Sequence, residues 1–191
     1  MKKFLPILFI MPFLIGIANA QTTIKQSMER SDKISKILVV YYSHTGNTRE
    51  IAKQIQAAVG GDIFAIEPLK PYPSEYRKTT EQAKKEITAG FKPEIKSGVA
   101  NIKDYDTVFI GSPCWWSTIA PPVATFLSKH DLSGQTIIPF MTHGGSGLGH
   151  SVSDITKLAP KATIKTGRAF YGSSAPSAKE DVEEWLKDMA K

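Results

Sequence analysis

The chain has 191 residues with 24 Lys or Arg against 18 Asp or Glu, a formal net charge of +6 at pH 7. The lysines are scattered without a long run of like charge, so the composition gives no basic arm for nucleic acid, and we expect no nucleic-acid partner. The single cysteine, Cys114, excludes an intramolecular disulfide. The length suits one domain with one core.

The first twenty residues have the pattern of a secretory signal peptide. A basic start at Lys2-Lys3 precedes an apolar stretch from Phe4 to Ile17, and Ala18-Asn19-Ala20 fits the small-x-small cleavage pattern. The apolar stretch is short and broken by prolines, which argues against a membrane span, although an uncleaved anchor is the alternative. We expect cleavage after Ala20, no stable membrane insertion afterwards, and an exported protein, periplasmic or secreted.

A polar leader over residues 21–35 precedes the first strand. The unbroken apolar run from Ile37 to Tyr42 predicts a strand covered on both faces. Ser43 to Thr48 then brings hydroxyls, an amide and a glycine to the start of an amphipathic helix, and such a helix start binds phosphate through its free amides and its dipole. No Lys lies in this loop, so the nucleoside-triphosphate pattern is absent. The alternative is a polar turn in which Asn47 or Thr48 is an ordinary helix cap.

Four further strands alternate with helices along the rest of the chain. The predicted strands are 62–67, 107–111, 136–141 and about 163–170, and the predicted helices are 74–89, one opening at 121–127, about 151–158 and about 178–190. Ser74 is the expected cap of its helix. This alternation predicts an α/β, doubly wound, five-stranded parallel sheet with helices on both faces, in one domain over residues 36–191.

Three conspicuous loops follow strands, at residues 43–48, 112–118 and 142–149. Since ligands of such sheets lie outside the carboxyl ends of the strands, these loops are expected to meet around one ligand. The second loop carries Trp115 and Trp116, and the third is rich in glycine. The alternatives are that both tryptophans plug the core and that the glycines form a turn without a ligand.

The three loops resemble those of flavodoxins. Ser43-x-Thr45-Gly46-x-Thr48 resembles the loop that holds the monoester phosphate of FMN. Gly111-Ser112-Pro113-x-Trp115-Trp116-x-Thr118-x-Ala120-Pro121-Pro122-Val123 resembles the second flavin loop of one flavodoxin-like family, and Thr142-His143-Gly144-Gly145-Ser146-Gly147 resembles its third. The resemblance runs from about Lys36 to the C-terminus and implies the strand order 2-1-3-4-5.

FMN is the cofactor that this resemblance implies. A flavin ring needs aromatic faces for stacking and backbone amides for its pyrimidine edge, and of the two tryptophans we favour Trp116 as the ring cover. The expected cofactor-binding residues are Ser43, His44, Thr45, Gly46, Asn47, Thr48, Pro113, Cys114, Trp115, Trp116, Ser117, Thr118, Thr142, His143, Gly144, Gly145 and Gly147.

Individual side chains in these loops allow more than one role. His143 fits a hydrogen bond to the flavin edge or a substrate and fits equally a role in holding its loop. His44 fits either neutralisation of the phosphate or a solvated position. Cys114 is expected to be structural, because a lone cysteine cannot perform dithiol exchange. Ser117 replaces the glycine that is common in this family, and its Cβ is expected to restrict backbone rotation near the flavin.

The favoured interpretation is an FMN-binding redox protein that transfers electrons outside the cytoplasm to a redox partner protein or a small-molecule acceptor. An FMN-dependent reductase of a small substrate such as a quinone, or a non-catalytic flavin carrier, are the alternatives, and enzymatic turnover is left open. A hydrolase is disfavoured because the chain lacks a G-x-S-x-G elbow, and a dinucleotide enzyme because it lacks G-x-G-x-x-G. The dispersed histidines lack metal-ligand spacing.

Overall fold

The computed structural model describes residues 36–189. The predicted signal peptide over residues 1–20 and the polar leader over 21–35 lie outside this range, as do the last two residues. These segments and the domain bounds therefore stay predictions. Within the described range, no helix combines the length and the apolar character needed to cross a membrane.

A parallel sheet forms the centre of the described chain. Its strands are β1 Ile37–Tyr41, β2 Asp62–Ala65, β3 Thr107–Trp115, β4 Thr118–Ile119, β5 Thr136–His143, β6 Thr163–Ile164 and β7 Arg168–Tyr171. The order is β2-β1-β3-β5, and β6 and β7 both pair in parallel with the outer edge of β5. Because β6 and β7 together occupy the fifth position, the predicted order 2-1-3-4-5 is confirmed.

Helices cover both faces of this sheet, as the α/β prediction requires. They are α1 Asn47–Val59, α2 Tyr76–Ala89, α3 Pro121–Lys129, α4 Ser151–Leu158 and α5 Lys179–Met189, with short 3-10 turns at Ile102–Asp104 and Gly172–Ser177. Alternate residues of β1 enter opposite cores: Val40 packs in the cluster that includes α3 and α4, and Val39 in the one that includes α1 and α5. This period of two is the reason that β1 is apolar throughout.

The predicted last strand, 163–170, is interrupted where it passes Pro139. The Ile137 carbonyl accepts a hydrogen bond from the Lys165 amide at 2.9 Å. The backbone groups of Ile137, and of Pro139 two residues later, therefore point toward β6 and β7. Proline has no N–H to donate to a neighbouring strand, and pairing lapses between β6 and β7. Gly167 lies in this gap, where a Cβ would come within 2.9 Å of the Pro139 carbonyl oxygen.

The second predicted loop, 112–118, is instead a β-hairpin. Strand β3 continues to Trp115, and β4 returns antiparallel to it with Trp115 paired to Thr118. The two turn residues, Trp116 and Ser117, have φ values of 50° and 64°, and positive values at both positions are what a type I′ hairpin requires. The loop prediction was wrong because β4 and β5 supply strand partners that the local sequence does not reveal.

The predicted cap of the second helix is also wrong. Helix α2 begins at Tyr76 with Glu75 in the cap position, and the cap side chain makes no hydrogen bond. Ser74 instead lies before the helix. Its position becomes relevant to the site, because it borders the same cavity as the start of α2.

We predict that Gly111→Ala destabilises the fold. A Cβ at Gly111 would lie 2.1 Å from the ring of Phe140, the opposing residue on β5, and Phe140 is fully buried. Overpacking of this kind costs about 1–3 kcal/mol, which chemical denaturation of the purified protein measures. Gly144→Ala is the matched control, since no atom lies within 4 Å of its added Cβ. Equal losses in the two variants would contradict the packing argument.

Candidate functional site

A cavity of about 650 Å³ opens at the carboxyl end of the sheet, where β1, β3, β5 and β7 end. Eleven of the seventeen predicted site residues line it: His44, Thr45, Asn47, Pro113, Cys114, Trp115, Trp116, Ser117, Thr142, His143 and Gly144. Among all the lining residues, none is Asp, Glu, Lys or Arg. The volume suits a cofactor-sized ligand, and the lining offers it uncharged donors and aromatic surfaces.

The six remaining predicted residues do not line the cavity. They are Ser43, Gly46, Thr48, Thr118, Gly145 and Gly147. Five of them, all except Gly147, shape the loops through hydrogen bonds described below. Gly147 has a φ of 60°, a left-handed conformation that glycine adopts without steric cost.

The loop after β1 leaves the first turn of α1 without a side-chain cap. Gly46 is the cap residue, with a φ of 99°. Its amide donates to Ser43 Oγ at 3.1 Å, and the helical hydrogen bonds begin with the Glu50 amide on the Gly46 carbonyl at 3.0 Å. The alternative that Asn47 or Thr48 caps the helix is therefore wrong. The first-turn amides keep their capacity to bind an anion beside the cavity.

A buried hydroxyl pair joins the first and third loops. Thr48 Oγ1 and Thr142 Oγ1 lie 2.7 Å apart, and either can donate. Thr48 is 1% exposed, so its hydroxyl is already engaged inside the protein. Thr45, by contrast, is exposed and borders the cavity. Of these loop hydroxyls, that of Thr45 is the most available to a ligand.

The two tryptophans of the hairpin have different environments. Trp115 packs in T-shaped arrangements with Tyr72 and Tyr42, with ring centroids 5.0 and 5.7 Å away, and lies 5.9 Å from the ring of His44. Burial raises the pKa of both tyrosines, and the Glu86 carboxylate raises it further. Both tyrosine hydroxyls therefore stay neutral. Trp115 thus belongs partly to an aromatic core, as one alternative for the tryptophans proposes.

Trp116 extends to the mouth of the cavity. The residue is 53% exposed, its Nε1 donates to the carbonyl of Thr80 on α2 at 3.0 Å, and Lys84 Nζ lies 4.8 Å from its ring centroid. These contacts fix the indole against α2 and leave part of its surface open. The alternative in which both tryptophans only plug the core is therefore wrong for Trp116.

Helix α4 is hydrogen-bonded to the hairpin. Thr118 Oγ1 donates to Asp154 Oδ2 at 2.6 Å, and Lys157 Nζ lies 2.9 Å from the other carboxylate oxygen. Burial opposes ionisation of Asp154, but the hydrogen bonds from Lys157 and Thr118 outweigh it and lower the pKa of this carboxyl. Asp154 is therefore a charged acceptor at neutral pH, and Thr118 serves the hairpin rather than lining the cavity.

The turn of the hairpin is pressed against the residues before α4. The Ser117 carbonyl accepts from the His150 amide at 2.6 Å. A Cβ at Gly149 would lie 2.2 Å from this carbonyl oxygen, so only glycine fits there. The left-handed conformation of Ser117 is thus imposed by its surroundings, although a residue with a Cβ adopts it at a cost.

His143 carries out one of its two expected roles within the loop itself. Its Nδ1 accepts a hydrogen bond from the Gly145 amide at 2.9 Å. Because an N–H can only donate, this bond requires the neutral imidazole with its proton on Nε2. The ring also contacts Tyr171, with centroids 4.4 Å apart. The histidine therefore fixes the third loop through its acceptor nitrogen and keeps its one donor, the Nε2–H, for a ligand.

Sequence reasoning missed two parts of the lining. The segment Tyr171–Ser173 follows β7, so the same carboxyl-end argument that found the other loops would have found it. It closes the cavity against the first loop, since a Cβ at Gly172 would lie 2.7 Å from Asn47 Nδ2. The other part is one face of α2, for which no local motif gives a signal. The missed residues are Tyr171, Gly172 and Ser173 after β7, Tyr76, Thr79, Thr80 and Ala83 on α2 with Ser74 just before it, and Ser146 within the third loop.

Comparisons with known proteins agree with this architecture. The profile of the flavodoxin family matches residues 36–189. A flavodoxin of Picosynechococcus sp. (strain ATCC 27264 / PCC 7002 / PR-6) is 27% identical over 164 residues, which are 78% of this chain and 80% of that protein.

Solved structures are similar over most of their length. A protein of Bacteroides eggerthii DSM 20697, described as a candidate flavoprotein, is 37% identical and superposes with a TM-score of 0.72 over 82% of this chain and 99% of its own. A flavoprotein of Lactobacillus acidophilus NCFM, solved in complex with FMN, is 25% identical with a TM-score of 0.64, covering 75% of this chain and 97% of its own.

We predict that Ser117→Gly stabilises the protein. Ser117 has a φ of 64°, where a Cβ costs roughly 1–2 kcal/mol, while the greater entropy of glycine in the unfolded chain offsets part of the gain. The expected net increase in the free energy of unfolding is about 0.5–1 kcal/mol, measured by chemical denaturation. Ser117→Ala keeps the Cβ and is the control. A gain of equal size in the alanine variant would show that the serine hydroxyl, and not the backbone, is the source.

Proposed function

The chain belongs to the flavodoxin family, and on this basis we propose that it binds FMN in the cavity and uses it as a redox group. One observation carries the proposal: the uncapped first turn of α1 opens beside a cavity of about 650 Å³ that is also bordered by exposed aromatic rings. A phosphate site next to a flat apolar site is the combination that FMN requires. The FMN complex of the Lactobacillus acidophilus relative supports the same cofactor.

The phosphate end fits a monoester held mainly by neutral donors. The first-turn amides of α1, the hydroxyl of Thr45 and the positive end of the helix dipole would share its charge. The lining has no cation, but the exposed side chain of Arg49 reaches back over Gly46, with its Nη2 3.2 Å from where a Cβ would stand. Arg49 therefore adds a positive charge outside the lining.

The ring end fits an isoalloxazine. Trp116 is the better candidate to cover a ring face, because it is half-exposed, while the ring of Trp115 already packs against neighbouring aromatic rings. The Nε2–H of His143 and the glycine amides of the third loop are donors for the polar edge of the ring. These residues would orient the ring and exclude water from one side of it.

The electrostatics of the lining bear on the redox chemistry. Bound FMN would supply reversible acceptance of one or two electrons. Reduction adds negative charge, which a nearby carboxylate would oppose, and the lining contains none. We therefore propose that the site tolerates the reduced flavin well and passes its electrons to a partner at the cavity mouth, either a redox protein or a small molecule.

We also propose that this electron transfer takes place outside the cytoplasm. The basic start, the apolar stretch and Ala18-Asn19-Ala20 support export through a general secretion route. The basic region is Lys2-Lys3 and carries no twin-arginine pair. A chain that crosses unfolded acquires its flavin afterwards, so the apoprotein must be able to bind free FMN.

We predict that Thr45→Ala weakens FMN much more than riboflavin. The variant loses one hydroxyl donor to the phosphate, and a hydrogen bond to a charged group contributes roughly 1.5–3 kcal/mol, so FMN affinity should fall about 10- to 100-fold while riboflavin affinity hardly changes. Quenching of flavin fluorescence on titration with apoprotein measures both constants. The bound chromophore, extracted and identified, tests the cofactor itself.

Thr156→Ala is the matched control for this titration, because its hydroxyl donates to the Val152 carbonyl on α4, away from the cavity. It should bind both flavins as the parent protein does. Equal losses of FMN and riboflavin in Thr45→Ala would show that Thr45 shapes the loop and does not hold phosphate. A parent protein that binds neither flavin would contradict the proposed function.

We predict that the protein from its native cell begins at Gln21. Cleavage after Ala20 removes the basic and apolar segments, and intact-mass measurement of the protein from the extracytoplasmic fraction detects the new terminus directly. Substitution of Ala18 and Ala20 by large residues should block cleavage, since the cleavage pattern requires small side chains. Protein that keeps residues 1–20 and stays in the cytoplasmic fraction would contradict export.

A further inference from the structure

A chain of aromatic rings leads from the cavity into the protein. Trp115 lines the cavity, and the ring centroids of Tyr72 and Tyr42 lie 5.0 and 5.7 Å from its own. The two tyrosine rings are 6.1 Å apart, centroid to centroid. Neither tyrosine lines the cavity, and both are buried. These are the separations of aromatic rings in contact, so a continuous aromatic path joins the cavity wall to two buried phenols.

The path ends at a carboxylate. Tyr72 Oη donates a hydrogen bond to Glu86 Oε2 on α2, and Gln82 Nε2 donates to the other carboxylate oxygen at 2.8 Å. Within residues 36–189 the Tyr42 hydroxyl makes no hydrogen bond to Glu86. Burial and the hydrogen bond to Glu86 raise the pKa of Tyr72, so this phenol keeps its proton at rest. Of the two phenols beside Trp115, Tyr72 is therefore the one with a base in place to receive its proton.

Packing alone does not account for the carboxylate beside this phenol. Phenylalanine would fill the space of the Tyr72 ring without burying a hydroxyl, and polar groups next to an apolar core cost free energy unless they are paired. Tryptophan and tyrosine are the aromatic side chains that lose one electron most readily. An oxidised phenol is a strong acid, so its oxidation is favoured where a base accepts its proton. The half-buried Glu86 carboxylate is such a base.

We propose that Trp115, Tyr72 and Glu86 form a radical relay, which carries an oxidising equivalent from the cavity wall to the buried phenol. The oxidant is a small one-electron oxidant of the radical class that enters the cavity and meets Trp115 there. The relay restores the indole at the cavity and leaves the oxidised group outside the lining. Its parts are side chains of this chain alone, so the relay goes beyond the proposed function and does not depend on a bound cofactor.

Electrons and protons balance at each step of the relay. The oxidant takes one electron from the Trp115 indole, which becomes a radical cation. Tyr72 returns one electron to the indole, and the phenolic O–H bond breaks as its proton passes to Glu86 Oε2. The products are neutral Trp115, a neutral Tyr72 phenoxyl radical and a protonated Glu86. A one-electron reductant of the thiol or enediol class in solution then reduces the phenoxyl, which takes its proton back from Glu86.

The experiment is pulse radiolysis of the purified full chain without added FMN, with the azide radical as the oxidant. This radical oxidises tryptophan preferentially, and optical absorption follows tryptophan and tyrosine radicals separately. Tryptophan radical should decay as tyrosine radical grows, in a phase whose rate does not depend on protein concentration. Trp115→Phe and Tyr72→Phe should each remove this phase. Glu86→Gln should slow it about 10- to 100-fold, the rate equivalent of one hydrogen bond to a charged group.

Tyr42→Phe is the matched control, because Tyr42 also contacts Trp115 but is not hydrogen-bonded to Glu86. It should keep the phase. The parent protein should transfer more slowly in deuterium oxide, since a proton moves with the electron, and this measurement needs no variant. Equal rates in the two solvents, an unchanged phase in Tyr72→Phe, or its loss in Tyr42→Phe would overturn the relay. FMN titration is separate: protein that binds no FMN and keeps the phase would overturn the proposed function and support the relay.

Discussion

The parallel pairing of β3 with β1 on one side and β5 on the other is the constraint on which the rest of the structure depends. Both partners run in register with β3 from Thr107 onward, so the three strands release their loops at the same edge of the sheet. Because side chains of these strands fill a core on each face, a slip of one residue would put every side chain in the opposite core, and the loops therefore have no freedom to move along the sheet. Two contacts then join loops that are already close. They are the hydrogen bond between the Thr48 and Thr142 hydroxyls and the contact of Gly149 with the hairpin.

The site separates into parts with different physical roles. The loop after β1 provides amides and a helix dipole, which attract a negatively charged group of a ligand. The hairpin and α2 provide surface that fits the shape of a ligand and buries its apolar area. Polar side chains outside the lining form hydrogen bonds with each other, as Thr118 does with Asp154. The cavity can therefore be neutral while its supports are charged. A neutral lining leaves the charge of a bound ligand to be balanced by backbone dipoles, which cannot titrate, and by Arg49 outside the lining.

The sequence predicted much of this architecture, and its failures have identifiable causes. The strand positions and the convergence of the loops follow from apolar runs and from the geometry of parallel sheets. The hairpin at Trp116 was missed because a strand partner, and not local composition, extends β3. The gap in the last strand depends on Pro139, which lies in the neighbouring strand β5 and has no N–H to donate to the last strand. The face of α2 that contains Tyr76 belongs to an ordinary charged helix in sequence, and only tertiary packing turns it toward the cavity.

The contact between Gly172 and Asn47 has a consequence for folding. It joins the loop after the first strand to the segment after the last one, so the cavity is complete only when nearly the entire domain is in place. Contacts so distant along the chain form late and slowly compared with local helices and turns. A chain synthesised only as far as α4 would have the phosphate loop, the hairpin and the glycine-rich loop, yet one wall would be missing. Cofactor uptake would then report on completion of the fold, and the colour of the protein would distinguish finished molecules from nascent ones.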